Sequence, residues 1–412
     1  MILRETIIYL TAYIGLFTIS YYALSLFSKK SEEIELDTKR LPFVSIVIPA
    51  YNEEKTILQT IKSACNLDYP KNKLEIIVVD DGSNDKTYKI AKSLKSDIVK
   101  VFSKSNGGKA SALNLGIKHA RGEIVVTMDA DTYVSSDALK KMVKCFLEKE
   151  VMCVSPSPTV HNPKGILQRL QQVEYFLGVF FRKAFASMDA IHITPGAFSA
   201  YRKKFFDKYG LFEIGNLTED LEMALRIQAN HYKIRYVPDA VFYTHSPNTF
   251  FSLLKQRRRW YSGLIKNLWR YRKLFSRKYG ELGVIVLPAA LITITLSITL
   301  TVWLIVDSLL RLNKEILLLK SINFSFTNLF NFNKFFFERM YINFFSHPYA
   351  LFFLLFIGIT IGYLIFAKKN IKKEIPVSFS FPIYLLLYAV LFSFWWIISV
   401  FYILLNKKIK WR

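Results

Sequence analysis

Four short stretches of this chain combine residue types and spacings that can do chemistry: "DAD" at 129–131, "SNGGKAS" at 105–111, "GNLTEDLEMALRI" at 215–227 and "KQRRRWYSGL" at 255–264. Asp129 and Asp131, two residues apart at the end of an apolar run, can both face one hard divalent cation, Mg2+ or Mn2+. Such ions prefer oxygen ligands and bridge readily to phosphate oxygens. The same pairing also caps turns after strands, so alone it says little. The glycines ahead of Lys109 offer backbone N–H groups, and the lysine an ammonium, to an anion. Lys109 is followed by Ala110 and lacks the earlier glycine of a nucleotide-hydrolysing phosphate loop, which disfavours that class. "VVDDGS" (78–83) suits a base, with one aspartate accepting from a ring N–H.

Thr218 is spaced to cap a helix beginning at Glu219, and acids in a first turn suit the helix dipole. That accounts for Glu222. Asp220, with Glu219 beside it, is read as catalytic because of a basic-aromatic cluster further along the chain. Gln256, Arg257, Arg258, Arg259 and Trp260 open a second helical stretch, where an arginine fork can grip a diphosphate and an indole can stack on a sugar ring. A carboxylate base, a metal-binding pair and an arginine for phosphates together suit displacement of a nucleoside diphosphate by a hydroxyl.

These residues need a scaffold. "FVSIVIP" (43–49), "LEIIVVDD" (74–81), "IVKVFS" (98–103) and "EIVVTMDAD" (123–131) read as strands. Helices are expected at about 53–66, from Asp85 to about Ser96, from near Lys109 and from about Ser136. This alternation predicts an α/β fold with a mostly parallel sheet wrapped by helices. Ligands then bind beyond the carboxyl ends of the strands. Tyr51, Asn52 and Glu53, Asp80 and Asp81, Ser105, Asn106 and Lys109, and Asp129 and Asp131 all land on that edge.

The chain has 412 residues, 52% hydrophobic and 16% aromatic, with a formal charge of +24. Uncharged runs at 6–28, 282–306, 348–367 and 375–406 are each long enough to cross a bilayer. Lys29 and Lys30, Arg272, Lys273, Arg277 and Lys278, and Lys368, Lys369, Lys372 and Lys373 flank these runs. That is the positive-inside pattern, which places the globular domain in the cytoplasm and argues against a nucleic-acid partner. With four full spans the basic tail "NKKIKWR" would end outside, against the same rule. Residues 255–280 carry ten basic and no acidic residues, and Tyr261, Leu264, Ile265, Leu268 and Phe275 fall at helical spacing. An amphipathic helix on the membrane surface is expected there. Cys65, Cys145 and Cys153 read as reduced, buried thiols.

The expected domains are an anchor (1–28), a cytoplasmic domain (29–250), an interfacial helix carrying QRRRW (251–281) and a membrane region (282–412) with spans near 283–306, 348–367 and 380–405. The Phe- and Asn-rich segment 312–346 reads as an extracytoplasmic loop or an interfacial hairpin.

The ordered set "PAYNEE", "VVDDGS", "GGKASALN", "DAD", "TED" and "QRRRW" resembles the membrane-embedded family 2 glycosyltransferases, which include the cellulose, chitin, hyaluronan and poly-N-acetylglucosamine synthases. The resemblance covers about residues 40–275, and the chain length suits the poly-N-acetylglucosamine type. It implies a GT-A, Rossmann-like domain inserted between transmembrane helices of the cell membrane. Pro49, Tyr51, Glu53 and Asp81 would hold the uridine, and Lys109 would help bind the nucleotide. Asp129 and Asp131 would meet the diphosphate and a Mg2+ or Mn2+ ion, and Asp220 would be the base of an inverting reaction. Gln256, Arg259 and Trp260 would close over the diphosphate and the acceptor end, and Gly196, in "TPGAFSAYR", would leave room for a sugar. His245 reads as structural, with a third metal ligand as the alternative.

The resemblance thus implies transfer from a UDP-sugar, UDP-N-acetylglucosamine foremost, to a growing polysaccharide passed across the membrane, with accessory membrane subunits among the candidate partners. Two rivals remain: a non-processive enzyme that adds one sugar to a membrane lipid, and a catalytically silent subunit that binds nucleotide or glycan.

Overall fold

The computed structural model describes residues 2–28, 41–321, 337–338, 341–342, 345–346, 349–371 and 380–405. Residues 322–336, part of the segment 312–346 expected as a loop or hairpin, lie outside the described residues, as do Lys29, Lys30, Lys372, Lys373 and the basic tail, whereas residues 312–321 of that segment are helical.

Eight strands form one sheet among the described residues, in the order β3-β2-β1-β4-β7-β6-β8-β5. They are β1 (Val44–Ala50), β2 (Leu74–Asp80), β3 (Val99–Ser103), β4 (Ile124–Met128), β5 (Thr132–Val134), β6 (Val151–Val160), β7 (Phe198–Arg202) and β8 (Lys233–Thr244). β1 pairs in parallel with β2 and β4, and β2 with β3. β7 runs antiparallel between β4 and β6. The connection leaves β1 for β2 on one side and β4 lies on the other, so a crevice opens at the carboxyl ends of β1 and β4.

The central strands are buried on both faces, which is why they read as continuous apolar runs. Alternate β1 residues serve two layers. Val44, Ile46 and Ile48 pack with Ile57 and Ile61 of α2 (Ile57–Cys65), while Val47 packs with Leu113 and Ile117 of α4 (Lys109–His119). Gly116 permits the second contact, since a Cβ there would lie 2.3 Å from Val47 Cγ1. α3 (Thr87–Ser93) and α5 (Ala138–Lys144) complete the first layer's helices. The expected strand at 123–131 instead ends at Met128. Asp129 and Asp131 sit in the turn before β5, where the Thr132 N–H donates to Asp129 O at 3.1 Å.

A long helix that the sequence reading did not anticipate, α6 (Ile166–Ser187), lies between the sheet and the apolar helices. It packs with α8 (Glu219–Ala229) and with Tyr22 of α1 (Ile2–Ser28) in a third core. α7 (Lys203–Tyr209) follows β7.

The expected amphipathic helix at 251–281 is shorter, α9 (Phe250–Arg270), followed by two 3-10 turns and a π-helical segment at Leu282–Val286. Gly280, at φ +56°, breaks the path. Part of the apolar stripe on α9 faces protein. Tyr261, Leu264 and Ile265 pack with Trp395 and Trp396 of a C-terminal helix, and Phe275, beyond α9, packs in the third core.

Among the described residues, three helices are long and apolar enough to cross a membrane: Thr6–Phe27, Leu282–Leu310 and Ala350–Ile371. They belong to α1, α10 (Leu287–Ser321) and α11 (Tyr349–Ile371). The fourth candidate, in α12 (Ser380–Leu404), is bent by 42° between Tyr388 and Val390, so it is either a broken span or a re-entrant segment.

Candidate active site

The carboxyl ends of β1, β2 and β4, the start of α8 and the inner face of α9 enclose a cavity of about 1880 Å3. Every candidate site residue lines it: Pro49, Tyr51, Glu53, Asp81, Lys109, Asp129, Asp131, Gly196, Glu219, Asp220, Gln256, Arg259 and Trp260. The cavity also continues past α9, where Ser297, Leu300 and Thr301 of α10 and Tyr384 and Tyr388 of α12 line it.

At the carboxyl end of β2, the loop expected to offer its N–H groups to an anion is already engaged. Gly107 and Gly108 donate to the Asp81 carboxylate at 3.0 and 2.8 Å, and Lys104 Nζ approaches it at 2.8 Å. Asp81 is buried and locks the loop against β2. Asn52, at φ +54°, joins the neighbouring loops by accepting from the Asn84 N–H at 2.9 Å. Glu53 Oε2 accepts from Thr56 at 3.0 Å.

Lys109, at the first position of α4, ties two motifs together. Its Nζ lies 2.6 Å from Asp129 Oδ1 and 3.4 Å from Glu219 Oε1. Burial opposes its charge, but Asp129, Glu219 and Asp220 outweigh that and raise its pKa. Glu219 is pushed upward, first by burial and then by Asp220, against the pull of Lys109 and Arg259. Asp131 is raised well above the usual carboxylate range, first by burial and then by the charges of Asp129 and Glu53, with Lys109 acting against them. Asp129 and Asp131 are hard oxygen donors crowded by negative charge, which fits a Mg2+ or Mn2+ ion. Among the described residues no three His, Cys, Asp or Glu side chains form a metal-binding group. Asp129 and Asp131 would supply the protein's oxygen ligands to such an ion. His245 also lines the cavity and packs in a ring cluster, its Nε2 3.4 Å from Tyr133 Oη and its ring 5.2 Å centroid to centroid from that of His161.

Asp220 is held by the backbone. Its Oδ2 accepts from the Gly196 N–H at 2.8 Å and its Oδ1 from the Leu221 N–H at 2.8 Å. The space left by Gly196, expected to admit a sugar, is taken by this carboxylate: a Cβ there would lie 2.6 Å from Oδ2. Thr218 sits at the N-cap position, but its hydroxyl makes no cap bond. It accepts instead from Asn267 Nδ2 of α9 at 3.0 Å. Arg259 donates to Leu217 O at 3.0 Å, so α9 closes directly over the start of α8. Glu222 is structural, paired with Arg226 on its own helix.

The sequence reading missed α6 and its contribution. Glu174, Tyr175 and Arg182 all line the cavity. One signal was available: Glu174 is the sole acidic residue in the stretch 166–187.

Residues 45–210 match the family model described as Glycosyl transferase family 2. The chain is 32% identical over 244 residues to a poly-beta-1,6-N-acetyl-D-glucosamine synthase of Staphylococcus epidermidis, a match covering 57% of this chain and 59% of that protein. It is 30% identical over 248 residues to the synthase of the same name from Staphylococcus aureus strain COL, covering 59% and 60%. The chain thus spans about three-fifths of the length of these curated relatives. Among solved structures, the mannosyltransferase PcManGT from Pyrobaculum calidifontis, in complex with GDP-Man and Mn2+, aligns at a TM-score of 0.57 and 24% identity. That alignment covers 80% of this chain and 100% of that one, and it supports the fold. The chain carries a family 2 glycosyltransferase domain of GT-A fold, flanked by apolar helices and related to the poly-N-acetylglucosamine synthases.

Proposed function

We propose that this chain is an inverting, metal-dependent glycosyltransferase that moves a sugar from a UDP-sugar, UDP-N-acetylglucosamine foremost, onto a growing polysaccharide and passes the product across the membrane. The observation that carries this reading is the continuity of the cavity from Asp129 and Asp220 to the walls of α10 and α12. The names of the staphylococcal relatives support the choice of sugar. In this reading the domain faces the cytoplasm, as the basic flanks suggest.

The backbone N–H groups of Gly196 and Leu221 donate to the two Asp220 side-chain oxygens and fix their direction. The acceptor hydroxyl oxygen bonds to the anomeric carbon, the bond from that carbon to the diphosphate breaks, and the hydroxyl proton goes to Asp220. Pro49, Tyr51, Glu53 and Asp81 flank the nucleoside. Gln256 and Arg259 face the departing diphosphate from α9, and Trp260 offers its ring to the acceptor. A divalent ion held by Asp129 and Asp131 would neutralise charge developing on the diphosphate. Lys109 keeps Asp129 and Glu219 at fixed separation.

A second reading, one sugar added to a membrane lipid, is favoured by the apolar far wall, where Ile305, Leu309 and Leu312 could face an alkyl chain. The test is to incubate the protein in nanodiscs with Mn2+ or Mg2+ and a panel of UDP-sugars, measure UDP release and size the product. A long product from one donor supports the synthase. A single-sugar product formed only with added lipid supports the second reading. No UDP release from any donor rejects both.

A further inference from the structure

Arg257 stands between Gln256 and Arg259, yet it is the most buried residue of that stretch, at 2% exposure. Its guanidinium makes a two-pronged ion pair with Glu174 of α6, at 2.7 and 2.6 Å. The guanidinium carbon also lies 4.6 Å from the centre of the Trp260 ring and 5.5 Å from that of Trp395. A buried pair of this kind gives little net stability against an apolar replacement, but removing one partner is costly. Its value lies in fixed geometry, because a planar guanidinium clamped at both nitrogens has one orientation to offer a facing indole.

We propose that Glu174 and Arg257 are positioning residues for Trp260, holding its ring for the acceptor sugar and tying that ring to α12 through Trp395. This rests on the reading of the cavity as a glycosyltransferase site, since only there does Trp260 have an acceptor to meet. Three further observations agree. Glu174, Arg257 and Trp260 all line the cavity. Arg257 Nε is buried without a hydrogen-bond partner. Tyr388 Oη, buried and likewise without one, belongs to a ring 5.7 Å from that of Trp395. A hydroxyl-rich ring lying against Trp260 would be the natural partner for such groups. The donor end is separate: the groups around Asp81 and Lys109 bond to one another and to neither member of the pair.

The test compares wild type, Glu174→Gln, Arg257→Lys and the double swap Glu174→Arg/Arg257→Glu in nanodiscs. Calorimetry follows UDP and, separately, a short β-linked N-acetylglucosamine oligosaccharide. The expected result is UDP affinity within about twofold of wild type, oligosaccharide affinity weakened about tenfold in each single variant, and partial recovery in the swap. Parallel loss of both ligands, or unchanged oligosaccharide binding, would overturn the positioning role. A wild-type chain that binds neither ligand rejects the glycosyltransferase reading and the pair's role with it.

Discussion

Asp220 fills the space that Gly196 leaves open: the Gly196 N–H donates to Asp220 Oδ2 at 2.8 Å, and a methyl group at that position would fall 2.6 Å from the same oxygen. Gly196→Ala must therefore move the carboxylate or the loop. A displacement of about 1 Å at a reacting group can cost on the order of a hundredfold in rate. Transfer is expected to fall by about that factor, with UDP affinity and the unfolding temperature little changed. Initial rates of UDP release, set beside calorimetry, check this. An active alanine variant would show that Asp220 does not need this position.

Asp220→Asn keeps the shape and both backbone bonds to its side-chain oxygens only in part, and it removes the proton acceptor. Transfer should drop by on the order of a hundredfold to ten-thousandfold while UDP still binds. If binding fell in step with turnover, the residue's role would be structural.

Asp129, Asp131 and Glu53 place negative charge together at the pocket, with Lys109 as the neighbouring counter-charge. Chelation of divalent ions should abolish transfer, and Mn2+ or Mg2+ should restore it. Asp131→Asn should raise the metal concentration needed for half-maximal rate. Full activity in excess chelator would remove the metal from the mechanism.

The start of α8 and the side of α9 touch through a glycine. A Cβ at Gly263 would lie 2.4 Å from Thr218 Oγ1, and Asn267 reaches both Thr218 Oγ1 at 3.0 Å and Asn216 Oδ1 at 3.2 Å. Gly263→Ala should separate the helix bearing Asp220 from the one bearing Arg259 and lower transfer, because neither side of the contact is a loose chain end. Asn267→Ala should cost about 1–3 kcal/mol by leaving buried polar atoms unpaired. Apparent melting temperatures of the two variants, with rates measured below the transition, separate the two effects.

The sequence made the sheet legible because its central strands are buried on both faces and alternate with helices. The motif edge was legible because loops after parallel strands converge at one end. What it hid were contacts whose partners are far apart along the chain. Nothing local marks Asp81 as the acceptor for Gly107 and Gly108, or Thr218 as the acceptor for Asn267 rather than a helix cap. The same holds for Gly196, whose missing side chain leaves room for the Asp220 carboxylate. α6 escaped because its apolar face reads like a span fragment, although it bridges the sheet and the apolar helices. The bend after Tyr388 also left no mark, since neither glycine nor proline stands there.

Glu75 is fully buried near the start of β2, at the other end of the strand from Asp81 and the pocket. Ser45 Oγ and the Arg121 N–H donate to its Oε1 at 2.6 and 2.7 Å, and Lys100 Nζ and Arg121 Nε to its Oε2 at 2.9 and 3.1 Å. Burial alone would raise its pKa, but these donors outweigh it and hold the carboxyl at about 2, below its ordinary value of 4.5. A carboxyl whose folded pKa is depressed stabilises the fold when ionised. Its contribution is complete above about pH 4.5 and is lost as pH falls towards about 2, on the order of 3 kcal/mol in all. Other carboxylates titrate in the same window, so the informative quantity is the difference between wild type and Glu75→Gln. The variant should be less stable at pH 6, and the gap should narrow steadily between pH 4.5 and pH 2. Unfolding midpoints in detergent at pH 6, 4 and 3 would measure it, and a gap independent of pH would show that Glu75 stabilises by shape and not by charge.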